Sequence, residues 1–471
     1  MRQLLSRIAW PVVYAHRRKV NRQAGVALVM VTVTVAILAA VVSEFNYNAR
    51  VELESAANGR DQLRAEYLAR SGINLSRLLI KVQQSVITPI NKQIGLNIQI
   101  GDFAPFLMQA FGGEDGAEVL GGFLGIGGSS IKGLGVGKGA GFDVEMKPED
   151  GKININCGGG LNPGGNVAVL NPMGVAAPNQ PAGAAALSPQ AALYLELSSL
   201  MMSPRYNRLF ENADADGQFA TRDDVARAIV DWTDVDLTKL GTGGDPEDYH
   251  YDTLRDPYKA KDNYFDTVDE VQLVRGVNDD FWGSFGEMLR VYGGCRVNLN
   301  AVKPENWPIL VAIIRASAKD KANPALLDDT VMAAMAQQIG AMAQMFGGLQ
   351  STDQLSQATQ KGGVLTPPQG GGLMGMMAGM MGGGQPPDMS QLFPPIPGMP
   401  ALELDPNTLG TLATTDPDMQ VYRIDATGTV KRTGAKKIEV HIRAVFDTRN
   451  PNSYSGLPFQ TPGNWVYWRM D

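Results

Sequence analysis

Apolar and polar positions divide the chain sharply at its amino end. Residues 1–23 carry Arg2, Arg7, Arg17, Arg18, Lys19 and Arg22 and no acid, whereas residues 24–43 contain no ionisable side chain at all. About twenty helical residues at ~1.5 Å each span the roughly 30 Å hydrocarbon core of a bilayer, so this run predicts one membrane helix. The basic flank holds its amino end in the cytoplasm by the positive-inside rule and places everything after Ser43 on the other side. Beyond Ser43 the pattern becomes amphipathic without breaking. Phe45, Ala49, Leu53 and Ala56, then Leu63, Tyr67, Ser71 and Leu75, recur at helical spacing, and the first strong stop is Ile87-Thr88-Pro89. One helix is expected over about residues 26–84, some ~85 Å by its rise, with Gly59 and Gly72 as weak points.

Further along, "GFDVEMKPEDGKININC" alternates around the turn "PEDG" and predicts a β-hairpin. Residues 188–289 read as helical: "SPQAALYLELSSLMM", "TRDDVARAIVDWTD" with Thr221 as cap, "TVDEVQLVRGV" and "NDDFWGSFGEMLRVY". Near the carboxyl end "MQVYRIDATGTVKRT" and "AKKIEVHIRAVFDTR" alternate strongly and predict an antiparallel hairpin, with "NWVYWRMD" as a final strand. Between these lie biased tracts. Residues 112–140 and the loop after Cys157 are Gly-rich, and residues 320–400, with "GGGLMGMMAGMMGGGQPPDMSQLFPPIPGMP", read as a low-complexity insertion in which Gly and Pro forbid regular structure.

Composition narrows the function classes. The 471 residues allow two or three domains, but the 54 Gly, 28 Pro and 21 Met are concentrated in the biased tracts, so the compact core is smaller than the length suggests. A net charge of -7 argues against nucleic acid, whose binding needs clustered Lys and Arg. "FDTVDEVQLVRGV" resembles a helix-hairpin-helix, yet Asp262, Asp266, Asp269, Glu270, Asp279 and Asp280 outweigh Lys259, Lys261 and Arg275 around it, which favours a packing role over DNA. "GVGKG" lacks the hydroxyl residue of a phosphate loop, Gly139 standing in its place. His16, His250 and His441 form no spaced pair with each other or with Cys, so no enzyme is expected.

The stretch "RQAGVALVMVTV" carries a family resemblance. A short basic leader, Gly25 immediately before the apolar run and a long amphipathic continuation resemble a type IV prepilin-like protein, which implies cleavage by prepilin peptidase after Gly25 and a mature chain beginning at Val26. The fifth mature residue is then Met30, where most pilins and pseudopilins have a Glu thought to pair with a neighbour's amino terminus. The missing acid, together with "GKININ", "ARAIVDWTDVD", "DPEDYHY", "YKAKDNYFDTVDEVQLVRGV", "RVNLNAV" and "NWVYWRMD", narrows the resemblance to general secretion pathway protein K, the large minor pseudopilin of type II secretion.

That resemblance implies an α+β pseudopilin fold: a long N-terminal transmembrane helix packed on an antiparallel sheet, plus an inserted all-helical domain. The corresponding layout is a leader at 1–25, the helix at 26–87, a first pilin part at 88–187, the helical domain at 188–292, a return strand and helix at 293–319, the insertion at 320–400 and carboxyl-terminal strands at 401–471. It also implies a tip position on the pseudopilus in the periplasm, above the inner membrane. The implied partners are the I-type and J-type minor pseudopilins, the major pseudopilin, and secretin or secreted substrate. Competing readings are an ordinary signal anchor, a secretory signal cut before Glu44, a minor pilin of a type IV pilus, and a membrane-anchored calcium-dependent adhesion or binding module.

Two acidic stretches are candidate calcium sites. "NADADGQFATRD" places oxygen donors at loop positions 1, 3, 5 and 12 (Asn212, Asp214, Asp216 and Asp223), with Gly217 at position 6, which is EF-hand spacing. Asn212 and Asp223 depart from the usual Asp and Glu. The second cluster is Asp231, Asp234, Asp236, Asp245, Glu247 and Asp248, in the region where the family's helical domain is thought to bind calcium. Solvated acidic loops are the alternative for both. Cys157 and Cys295 lie in related contexts, "KININC" and "CRVNLN", and are either a disulfide or two buried thiols.

Overall fold

The structure, a computed structural model, describes residues 22–94, 111, 139–159, 187–211, 219–241, 245–345, 347–365, 401–432, 434, 436–449 and 463–471. The leader through residue 21, the Gly-rich stretches at 112–138 and 160–186, and residues 366–400 of the expected insertion lie outside it.

Helix α1 runs from Arg22 to Val82. Its first part, up to Leu63, forms one unit and everything from Arg64 onward another. In the first unit the apolar side chains are exposed, Met30 at 68%. Thr32 and Thr34 return their hydroxyls to the carbonyls of Val29 and Met30, at 2.9 and 2.7 Å, so the polar groups of this stretch are satisfied within the helix. This helix is long and apolar enough to cross a membrane.

In the second unit, Ala65, Leu68, Ala69, Ile73 and Ile80 of α1 are buried on the sheet. This stripe is rotated from the expected Leu63-Tyr67-Ser71-Leu75 face, and Tyr67 is 60% exposed. The physical reason is size. Small residues let the helix backbone approach the sheet, and that closeness decides which face is covered. The helix also does not stop where the sequence suggested. It widens into a π turn, Gln83–Ile87, and resumes as α2, Thr88–Ile94. Pro89 then sits at the start of a new helix, where its missing N–H is not needed.

Strand β1, Ala140–Pro148, pairs antiparallel with β6, Val421–Val430, in the register Ala140 to Val430 and Pro148 to Tyr422. Strand β6 pairs in turn with β7, Ile438–Asp447, as the expected carboxyl-terminal hairpin, and β7 with β8, Asn464–Met470. The sheet order is β1-β6-β7-β8. At its centre Gly428 lies under α1: a Cβ there would stand 1.9 Å from the carbonyl oxygen of Ala65.

The expected "PEDG" hairpin does not form. Strand β2, Ile153–Asn154, leaves the sheet and pairs in parallel with β3, Leu289–Arg290. The cause is Asp150. Its Oδ2 accepts the N–H groups of Gln420 and Val421 at 2.7 and 2.9 Å, which ties the turn to the entrance of β6 rather than back onto β1. Oδ1 faces the buried Arg290 guanidinium at 3.5 Å. Burial raises the Asp150 carboxyl above its ordinary value, and Arg290 opposes that shift.

The described residues between β1 and β6 form a mainly helical region with a common apolar core. Its first lobe holds α3 (Pro189–Met201), α4 (Arg222–Asp231) and α5 (Asp279–Phe285) around Trp232, Phe265, Phe281 and Phe285. Thr221 caps α4 through a reciprocal box with Asp224, as its sequence suggests. "TVDEVQLVRGV" is shorter than a full helix, a 3₁₀ segment over Val268–Leu273. The second lobe holds α6 (Trp307–Ser317), α7 (Asp329–Met345), α8 (Thr352–Gln360) and α9 (Pro406–Leu412). Strand β4, Val297–Asn298, closes it in parallel with β5, Ala413–Thr414.

This corrects the reading of residues 320–400 as one structureless insertion. Met332, Met335, Ala336, Ile339 and Met342 of α7 are fully buried at helical spacing, so the Met-rich, Ala-rich composition hid a core helix.

Candidate cation site

The second acidic cluster surrounds the end of α4 and the loop that follows. Asp231 ends the helix and accepts the Leu240 N–H on Oδ1 at 2.9 Å. Asp236 accepts the N–H and hydroxyl of Thr238 at 2.9 and 2.6 Å. An antiparallel bridge between Thr238 and Pro246, with Lys239 N–H bonded to the Asp245 carbonyl at 2.9 Å, brings Glu247 back beside them. Glu247 is only 4% exposed.

The electrostatics are those of like charges held together. Burial, followed by the fields of Asp234, Asp262, Asp231 and Asp236, pushes the Glu247 carboxyl up to about 9. Burial and then Asp236, Asp231 and Asp262 push Asp234 up to about 7. Burial raises Asp231 to about 6, against the stabilising Leu240 N–H. Both Glu247 carboxylate oxygens, Asp234 Oδ1 and Asp262 Oδ1 are buried without a hydrogen-bond partner. A buried polar atom left unpaired costs roughly 1–3 kcal/mol, so four in one place are a concentrated cost to this part of the fold.

No group of three or more His, Cys, Asp or Glu side chains among the described residues is drawn up as a coordination cage. The chemistry of the donors, all hard oxygens, fits a divalent cation such as calcium.

The other candidates fall apart from this group. Asp248 is a brace, its Oδ1 accepting Ala260 N–H at 3.0 Å and its Oδ2 pairing with Lys259 at 3.1 Å. Asp245 is exposed on the rim of the adjoining cavity of about 150 Å³, which Asp231, Glu247, His250 and Tyr251 also line. Of the EF-hand-like loop, Asn212, Asp214 and Asp216 lie outside the described residues. Asp223 is held by Arg227 at 2.8 Å and by the Tyr194 hydroxyl.

Sequence spacing missed Asp262. It stands far from the cluster along the chain, and its backbone adopts φ of 50°, unusual for a residue other than Gly. Its place in "YKAKDNYF" as an Asp-Asn turn is the one local signal.

Cys157 and Cys295 are joined as a disulfide, their Cα atoms 5.6 Å apart. Gly25 and Val26 lie exposed within α1, with nothing near Gly25.

These features define an architecture: an α+β protein whose long amino-terminal helix packs, through its second half, on an antiparallel sheet that carries an inserted helical region. Residues 183–291 match the family model for type II secretion system (T2SS), protein K. Over 88 residues the chain is 33% identical to type II secretion system protein K of Aeromonas hydrophila, an alignment covering 18% of this chain and 26% of that relative, about a quarter of its length. Among solved structures, the complex of GspK, GspI and GspJ from the enterotoxigenic Escherichia coli type 2 secretion system is matched with a TM-score of 0.38 and 15% identity, over 71% of this chain and 80% of that one. Residues 183–291 are thus similar to the type II secretion protein K family, and the chain spans about a quarter of the length of the curated relative it matches.

Proposed function

We propose that this protein is the tip subunit of a type II secretion pseudopilus. It starts assembly with I-type and J-type minor pseudopilins, above the major pseudopilin, and serves protein export across the outer membrane. It inserts in the inner membrane through α1 with its folded part in the periplasm, is trimmed by prepilin peptidase between Gly25 and Val26, and meets secretin or secreted substrate from the tip. The observation that carries this reading is Met30, joined in one chain with a protein K domain at residues 183–291. A carboxylate in hydrocarbon is costly unless paired, so one at this position suits a subunit with another stacked above it. An uncharged Met at that position suits the one subunit that has none above it.

Calcium completes the reading. Asp234, Glu247 and Asp262 would hold it through their unpartnered buried oxygens, the hard donors such an ion takes, with Asp231 and Asp236 beside them. The ion would supply positive charge that offsets their repulsion; the chain's own part is to brace the site through Leu240, Thr238 and the bridge at Pro246.

The test is immunogold labelling of pseudopili in cells that produce the full chain with its cognate minor pseudopilins. Label confined to one fibre end, with co-purification of the I-type and J-type subunits, is expected. Label distributed along the fibre, or no association with either subunit, overturns the tip assignment.

A further inference from the structure

A cleft of about 160 Å³ opens between the first lobe and the sheet face opposite α1. Its deepest lining is aliphatic: Val421 of β6, Val445 of β7, and Leu289 and Val291 of the lobe are all buried. Three half-buried aromatic residues complete it, Trp282 of α5, Tyr292 and Tyr467 of β8. The two Tyr rings stand 6.5 Å apart, one from the lobe and one from the sheet. Tyr292 donates its hydroxyl to the Asp266 carbonyl at 2.6 Å, so that ring is held in place before anything binds.

The cleft also offers donors that lack acceptors. Among the described residues the Trp282 indole N–H has no hydrogen-bond partner. The Arg423 guanidinium makes no hydrogen bond there either, its Nε included, and that side chain is 23% exposed. Asp425, Glu149 and Glu287 stand 3.3, 3.7 and 3.9 Å from the guanidinium, near enough to balance its charge but not placed to accept its hydrogens. A further carboxylate would be repelled by those three; a neutral carbonyl would not. At the rim, Asp269 is exposed and unpaired among the described residues, and the Glu287 side chain is 84% exposed.

We propose that this cleft binds an extended, proline-rich peptide segment of a partner protein, with a basic residue at the segment's flank. The sheet presents a face here and not an edge, which leaves the N–H groups of a bound peptide without a ladder to join. Proline has no N–H to leave unpaired, and the carbonyls of such a segment suit the indole and guanidinium donors. Its rings pack on aromatic side chains, and its polyproline II conformation exists before binding, which lowers the ordering cost. A saccharide, the other neutral ligand to consider, would set hydroxyls against Val421 and Val445 without partners. Asp269 and Glu287 meet the basic flank at the rim. The cleft shares no residue with the acidic cluster.

The full chain, held through α1 in phosphatidylcholine nanodiscs, is titrated with a fluorescein-labelled synthetic peptide of repeated proline-proline-leucine carrying one terminal arginine, and binding is read by anisotropy. Saturable binding is expected, lost when every proline is replaced by alanine and not displaced by a neutral chito-oligosaccharide. Trp282→Phe with Tyr467→Leu, which keep apolar bulk at both positions, should weaken it by about tenfold or more. Asp269→Lys should weaken the arginine-bearing peptide by about threefold and leave a glutamine-bearing counterpart unchanged. Circular dichroism checks that each variant is folded.

No saturable binding by the native chain overturns the proposal. So does binding that persists in the alanine peptide, or that the folded double variant retains in full. Displacement of the peptide by the chito-oligosaccharide makes the cleft a saccharide site and refutes the peptide one. Should the double variant not fold, Asp269→Lys decides alone, because that residue is exposed: undiminished affinity for the arginine-bearing peptide in it refutes the assignment.

Discussion

Asn156 and Asn300 perform the same task in the two lobes. Asn156 donates to the carbonyls of Phe265 and Val291 at 3.0 and 2.9 Å and accepts the Phe265 N–H at 2.6 Å. Asn300 donates to the carbonyls of Leu349 and Thr415 at 3.0 and 2.9 Å and accepts the Leu349 N–H at 2.7 Å. Each is preceded two residues earlier by an Asn, Asn154 or Asn298, whose side chain accepts its N–H at 3.0 or 3.1 Å. Each follows a two-residue strand that closes its lobe in parallel. Asn156→Ala therefore strands three backbone groups in the first lobe, and Asn300→Ala three in the second. At roughly 1 kcal/mol or more for each, about 3 kcal/mol should be lost in either variant, read as a lower midpoint in chemical denaturation. Asp at either position keeps the acceptor but not the donors and should fall between Ala and the native residue.

Gly428→Ala tests the contact of helix and sheet. The new methyl would overlap the Ala65 carbonyl in a core that has no slack there, so α1 must lift from β6. A loss of roughly 1–3 kcal/mol is expected, larger for Gly428→Val, with the change in hydrogen exchange concentrated in α1 from Ala65 to Ile73.

Carboxyls raised above their ordinary values bind more protons in the folded state than in the unfolded one. Stability without calcium should accordingly fall as pH rises from about 4.5, the ordinary range of Glu, through the raised values of Asp231, Asp234 and Glu247 near 6, 7 and 9. Calcium should reverse the trend, because it needs those groups ionised. The melting temperature difference between calcium and chelator should widen from pH 5 to pH 8. Glu247→Gln should flatten the decline with pH and remove most of the calcium effect; a variant at the exposed Asp245 should leave more of it.

The disulfide joins residues 138 apart and closes the first lobe at its base. Constraining a loop of that length in the unfolded chain is worth about 3–5 kcal/mol. Cys157→Ser with Cys295→Ser should lower stability by that order, and the reduced native protein should match the variant in denaturant titrations.

Mass spectrometry of the membrane-bound protein should give Val26 as the first residue. A bulky replacement of Gly25 should leave the leader attached, and a chain beginning at Glu44 would mean secretory cleavage instead. Met30→Glu should insert normally yet reduce secretion, because the new carboxylate recruits a subunit above or stays unpaired in lipid.

Much of the frame was legible in residue order. The apolar run, the β6–β7 alternation and the Thr221 cap each follow from a local period or a local hydrogen bond. The related stretches "KININC" and "CRVNLN" were visible as a pair, but not that each clamps a lobe, because Phe265, Val291, Leu349 and Thr415 are chosen by the tertiary fold. The false hairpin at "PEDG" has a similar cause: Asp150 finds its partners at Gln420 and Val421, some 270 positions away. In the acidic cluster, Asp231, Asp234, Asp236 and Glu247 are near neighbours in sequence, whereas Asp262 arrives from another turn. Helix α7 was missed because a composition of Met, Ala and Gln masked its spacing.

Pro148 and Tyr422 face each other across two adjacent antiparallel strands. In a plain hairpin a few residues would join them; here both lobes fill that place. Because a turn asks only that its two ends lie close, the sheet is indifferent to what hangs between them. The same junction is thus a natural grafting point: deleting residues 149–420 and joining the ends with a short Gly-containing turn should leave a minimal sheet that still docks on α1, and a smaller relative of this fold could acquire the lobes there without altering one strand pairing.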